Sequence, residues 1–127
     1  MTITLNGETP SKKNSRINTR SGRSFPNKRY TKWHDMIVSE LSFLITRKQI
    51  EKIPEGRQVI LTVTFCHGDF KRRDSDNQLS SVLDTLVDAG VLPDDNWKII
   101  PEKHIYDVYE KNNAYCRIEL NIKKEQL

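Results

Sequence analysis

Residues 57–66 constrain the fold of this chain more than any other stretch. Val59, Leu61, Val63 and Phe65 alternate with Ile60, Thr62, Thr64 and Cys66, so an extended backbone carries apolar or β-branched side chains on both of its sides. A strand with one solvated face would alternate apolar with polar residues. The pattern predicts a central strand, covered by helices on at least one face.

The flanking segments supply that cover. Tyr30, Trp33, Ile37, Leu41, Leu44 and Lys48 recur every three or four positions, with Met36, Val38 and Ile45 widening the stripe. They predict an amphipathic helix of about 20 residues from Lys28, closed by Pro54 and Gly56 in the following connection. Leu79, Val82, Leu83 and Leu86 predict the buried face of a second helix over residues 76–89, with Ser75 or Asp76 as N-cap, Gly90 at C′ and Pro93 preventing its restart.

Met1 to Asn6 alternates like a short half-buried strand that Gly7 ends. Lys98 to Tyr109 is a weaker strand candidate. Ala114 to Ile122 is a clearer one, with Ala114, Cys116, Ile118, Leu120 and Ile122 on one face, and Asn112-Asn113 predicts a hairpin between the two. The reading is α/β (α+β): a small mixed sheet with two main helices, in the order β-α-β-α-β-β. At 127 residues, with no linker long enough to divide it, the chain reads as a single domain over residues 1–127.

Composition narrows the function. With 35% hydrophobic and 30% charged residues the chain has enough apolar side chains to fill a core, which excludes bulk disorder. No apolar run approaches the length of a membrane span and no hydrophobic segment opens the chain, so a soluble intracellular protein is expected. Cys66 and Cys116 both lie in apolar-alternating runs and read as buried free thiols.

The net charge of +4 is unevenly spread. Residues 11–32 hold Lys12, Lys13, Arg16, Arg20, Arg23, Lys28, Arg29 and Lys32 and no acid, while Asp84, Asp88, Asp94, Asp95, Glu102, Asp107 and Glu110 gather in the second half. That asymmetry favours a polyanion on one face and an acidic pocket on another. The polar stretch from Thr9 to Asn27 is predicted as a long loop, and its cations make it a nucleic-acid surface.

Lys71-Arg72-Arg73-Asp74-Ser75-Asp76-Asn77 joins the two themes. Asp74 and Asp76 leave the same side of an extended chain and can share a cation, with the three basic residues beside them for phosphates. Asp94-Asp95 adds carboxylates after the second helix. Magnesium bound there would polarise a phosphodiester and orient water. The same residues also read without any metal: Asp-Ser-Asp as helix cap and first-turn acid, Asp94-Asp95 as an ordinary turn. Geometry adds a demand. The helix is about 20 Å long, and seven residues from Ala89 to Asp95 reach at most roughly 23 Å. Asp95 must therefore run nearly straight back, unless the helix is shorter or Asp95 acts in a second subunit of a symmetric dimer. His34 reads as a surface or half-buried helix residue and His104 shows no ligand spacing, while His67, seven positions before Asp74, can approach the site but reads first as a turn residue. Trp97 can stack on a base but is expected to pack behind the acidic turn.

At three places the sequence resembles the RusA-like endodeoxyribonucleases, small Holliday junction resolvases of bacteria and their phages. These are Pro10-Ser11-Lys12-Lys13-Asn14-Ser15, Arg73-Asp74-Ser75-Asp76-Asn77 and Ala89-Gly90-Val91-Leu92-Pro93-Asp94-Asp95. The resemblance implies a homodimer that binds four-way DNA junctions and cuts two opposed strands with Mg2+ or Mn2+, in the cytoplasm of a bacterium or phage-infected cell. It implies Asp74, Asp76 and Asp95 as catalytic metal ligands, Asp94 as an adjacent acidic position, and the loop around Pro10 to Asn14 as DNA-facing. One position departs from it. A lysine four residues beyond the second motif aspartate of the best-known member is Ser80 here, so that charge is either absent, supplied by Arg73 or Lys71, or taken by a lysine elsewhere such as Lys98. A DNA-structure-binding protein without catalysis, or a nuclease of flap or duplex DNA, are the alternatives. For the dimer face the expectation is a sheet edge or the first helix, whose Tyr30 and Trp33 read as exposed.

Overall fold

The computed structural model describes residues 1–12, 16–18, 22, 24–26 and 28–123. Its elements are β1 (Thr2–Asn6), β2 (Arg16–Asn18), β3 (Ser24–Pro26), α1 (Lys28–Thr46), β4 (Val59–His67), α2 (Ser75–Asp88), β5 (Glu102–Tyr109) and β6 (Tyr115–Ile122). The mixed sheet with two helices is as expected. The basic stretch is not wholly loop: β2 and β3 pair antiparallel within it, Ile17 opposite Phe25. Of the expected DNA-facing residues there, Lys13, Asn14, Arg20 and Arg23 lie outside the described residues, as does the chain end 124–127.

The main sheet has the order β1-β6-β4-β5. As its two apolar sides required, β4 is central, antiparallel to β6 and parallel to β5. The parallel pair follows from the connection, because α2 carries the chain back along the sheet between β4 and β5. This overturns the predicted hairpin: β5 and β6 flank β4 and never pair. Asn112 does adopt positive φ, but within a connection that rounds the end of β4, where Glu110 donates to the His67 carbonyl and Asn112 to that of Gly68.

Helices cover one side of the sheet. Ile3, Leu5, Val59, Leu61, Val63, Phe65, Cys116, Ile118 and Leu120 meet Ile37 and Leu41 of α1 and Leu79, Val82, Leu83 and Leu86 of α2 in one core. Full burial of each large side chain there contributes roughly 1.5–3 kcal/mol. Thr4, Arg117 and Asn121 alternate onto the other side, which also carries Ile60, Thr62, Thr64 and Cys66 of β4. In α1 the stripe is narrower than predicted, since Met36 is 55% exposed, and Tyr30 is buried rather than exposed. Trp33 is only partly buried against the core. Both cysteines are buried free thiols, as expected.

Candidate active site

α2 begins where Asp74 stops it from extending backwards. Asp74 has extended backbone angles and its side chain accepts the Asp76 N–H at 3.2 Å, so Asp74, rather than Ser75 or Asp76, is the N-cap. Asn77 Nδ2 reaches the second oxygen at 3.5 Å. Asp76 occupies the first turn, where an acid is favoured by the helix dipole. Both carboxylates are exposed and stand at one end of α2.

The approach to Asp74 is clamped from several directions. Arg73 binds Asp69 Oδ1 at 2.7 Å through Nη1 and Glu8 Oε1 at 3.3 Å through Nε. Asp69 also accepts the Lys71 N–H at 3.0 Å, and these contacts, Arg73 first, hold its carboxyl down at about 2. Glu8 further receives Gln78 Nε2 at 2.8 Å and faces His67 Nδ1 at 2.9 Å, while His67 Nε2 lies 2.7 Å from Asp107. Burial works to lower the His67 pKa, but its bonds to Asp107 and Glu8 outweigh it and the net direction is upward. The network ties β4, β5 and the segment after β1 to the residue preceding Asp74.

A cavity of about 360 Å3 opens beside Asp74, lined among others by Arg29, Lys71, Arg72, Arg73 and Gln78. Gln78 is almost fully buried. Its Nε2 donates to Glu8 and to the Thr9 carbonyl, which fixes the amide, and its Oε1 has no partner among the described residues. Among the described residues Arg29, Lys71 and Arg72 form no ion pair, whereas Arg73 and Lys12 do: Lys12 Nζ binds Asp84 at 2.9 Å. Among the described residues, three unpaired cations of the expected DNA-facing set, Arg29, Lys71 and Arg72, thus line the cavity beside Asp74, with Lys28 exposed at the start of α1.

Asp95 lies elsewhere. Residues 89–95 do not run straight back along α2. Val91 and Leu92 donate to the Leu86 carbonyl, curling over its C-terminal end, and Ile99 then receives the Val59 N–H at the start of β4. The Asp95 pKa is raised, by burial first and then by Asp94, with Asp84 as the more distant acid that it feels. Asp84 is two turns along α2 from Asp76, about 12 Å at the helical rise. Asp94 accepts the Asp95 N–H at 2.7 Å and Asn96 Nδ2 at 3.1 Å, which lowers its own pKa. Among the described residues, no three His, Cys, Asp or Glu side chains of one chain could hold a metal ion together. Two of the three predicted ligands are neighbours and the third is not. Trp97, expected to pack, is instead 71% exposed.

No protein-family model matches this sequence. A curated protein of Aquifex aeolicus (strain VF5), crossover junction endodeoxyribonuclease RusA, is 30% identical over 109 residues, spanning 86% of this chain and 81% of that relative. The chain belongs to the RusA family.

In this RusA-family chain, Ser80 is exposed on α2, and Lys71 is the unpaired lysine among the residues lining the Asp74 cavity. Glu8 and Gln78 escaped the sequence reading. Gln78 signals itself only weakly, as a polar residue at a position whose helical spacing to Ser81 and Val82 faces the core. Nothing in the local pattern around Glu8 announces that it will meet His67, Arg73 and Gln78, because those contacts close over about 60 to 70 positions of sequence.

Proposed function

We propose that this protein is a metal-dependent crossover junction endodeoxyribonuclease that works as a homodimer and cuts two opposed strands of four-way DNA. The observation that carries the proposal is the pairing of Asp74 and Asp76 at the start of α2 with a cavity lined by unpaired Arg29, Lys71 and Arg72. Those cations suit phosphates on either side of a scissile bond. The name of the Aquifex relative supports the substrate. Mg2+, with Mn2+ as substitute, is the proposed cofactor, and a bacterial or phage-infected cytoplasm follows as its setting.

Among the described residues, no chain on its own brings three acidic or histidine ligands together for that ion. Asp74 and Asp76 contribute two carboxylates, and we assign the third to Asp95 of a second copy, with Asp94 beside it. A two-fold dimer then presents two such sites to the two-fold related strands of a junction.

The test is a labelled four-way junction incubated with Mg2+ or Mn2+. Paired nicks by the wild type, reduced more than about 100-fold in Asp76→Asn, are expected. No nicking with either metal, or equal nicking by the variant, overturns the proposal. Tight junction binding without nicking would make the protein a DNA-structure binder, and equal cutting of flap or duplex DNA would remove the junction preference.

A further inference from the structure

Phe70, in the loop after β4, is the most exposed large apolar side chain among the described residues, at 82%, and it lies four residues before Asp74. Its ring stacks on Tyr109 with centroids 4.0 Å apart and planes 24° from parallel. Tyr109, at the end of edge strand β5, is itself 44% exposed. A solvent-facing aromatic pair is costly to keep uncovered, and each ring has a flat face suited to another flat ring.

The surroundings say which ring. The aromatic pair lines a cavity of about 470 Å3 together with Lys71, Arg72 and Arg73. The same three residues line the cavity beside Asp74. A basic ridge therefore separates an aromatic recess from the carboxylates, the arrangement that a nucleic-acid strand matches with bases on one side and phosphates over the ridge. The acids in the recess, Asp69 and Asp107, are bonded to Arg73 and His67. The loop is also held in shape: Asp69 accepts from both Lys71 N–H and Arg73, which presents Phe70 on a closed turn. Four residues reach at most about 14 Å, or about four phosphate steps along one strand at 3.4 Å each.

We propose that the exposed face of Phe70, backed by Tyr109, stacks on an unpaired nucleobase close to the phosphate held at Asp74. On a four-way junction the base stack is interrupted where the strands exchange, so a base there costs less to unpair than one inside a continuous duplex. Phe70 thereby favours branched over continuous duplex DNA. This inference rests on the junction-cutting reading above.

The experiment places a fluorescent base, 2-aminopurine, at the exchange point of a four-way junction, and in a control at mid-arm, with Asp76→Asn protein to hold the uncut complex. A signal change on binding is expected at the exchange point alone. It should vanish in Phe70→Ala and Phe70→Leu, return in Phe70→Trp, and be accompanied by roughly tenfold weaker junction binding in the first two. Circular dichroism checks that each variant is folded. Normal junction affinity and signal in Phe70→Ala overturn the stacking role and leave the junction reading standing. Failure of the parent protein to bind the junction removes both. Loss of the dimer in Phe70→Ala, read by sedimentation, also overturns the inference, by making this surface a contact between copies.

Discussion

The Asp74 side chain accepts the backbone N–H of Asp76 at 3.2 Å, so one carboxylate both caps α2 and stands beside the second. Capping and metal binding, which look like rival readings of Asp-Ser-Asp, are compatible at one residue. The cap uses one oxygen, and the helix dipole favours the negative charge that a cation would meet.

That compatibility can be separated by substitution. Asn is as good an N-cap as Asp, while Ala costs about 1 kcal/mol. Asp74→Asn is expected to unfold within a few tenths of a kcal/mol of wild type in urea and to lose nicking more than about 100-fold. Asp74→Ala should lose both. Retained nicking in Asp74→Asn would reduce Asp74 to a cap.

The separation of Asp95 from Asp76 predicts complementation. A chain carrying Asp74→Asn and Asp76→Asn is mixed with a chain carrying Asp95→Asn, after unfolding and refolding together. If Asp95 acts across the dimer, each hybrid regains one intact site and nicks one strand. If all three act within one chain, every site in the hybrid is defective and the mixture stays inactive.

His67 predicts a pH dependence. Its folded pKa lies above the unfolded value of about 6.5 because Asp107 and Glu8 favour the charged ring against its burial. The folded state then binds the proton more tightly. Its contribution is fully present below about pH 6.5 and is lost as pH rises through the folded pKa. Denaturation midpoints of the wild type should fall over that window relative to His67→Gln, and the His67 ring should titrate above 6.5 by NMR.

The two thiols should be inert in the native protein. Cys116 is pushed up to about 12, chiefly by burial, and burial and Glu110 also raise Cys66. A thiol-reactive dye at pH 8 is expected to label neither, and to label both at once after unfolding. Fast labelling of Cys66 alone would show the contacts around Glu110 and Asn113 opening on their own.

Local periodicity was enough for β4, α1 and the buried face of α2, because each of those patterns is set by neighbours within two to four positions. It failed where burial depends on what arrives from afar. Tyr30 is buried, with its hydroxyl 3.5 Å from Asp84 across 54 positions, whereas Trp97, in the turn after Asp95, stays exposed. The Asn112-Asn113 turn was visible, but not that β5 would join β4 in parallel and leave β6 on the opposite side.

By itself the sequence determined a central strand with apolar residues on both sides, two amphipathic helices, and aspartates at both ends of the second one, since side-chain alternation and helical spacing are local properties. Only the tertiary structure decided which of those aspartates meet. The chain after Gly90 curls over the C-terminal end of α2 and enters the sheet beside Val59, so hydrogen bonding there overrides the straight return that Asp95 would need. For the same reason only the fold shows Arg73 tied to Asp69 and Glu8, with Lys71 and Arg72 in no ion pair among the described residues beside Asp74. Charge is written in the sequence, but which charges remain free is settled by distances between distant segments.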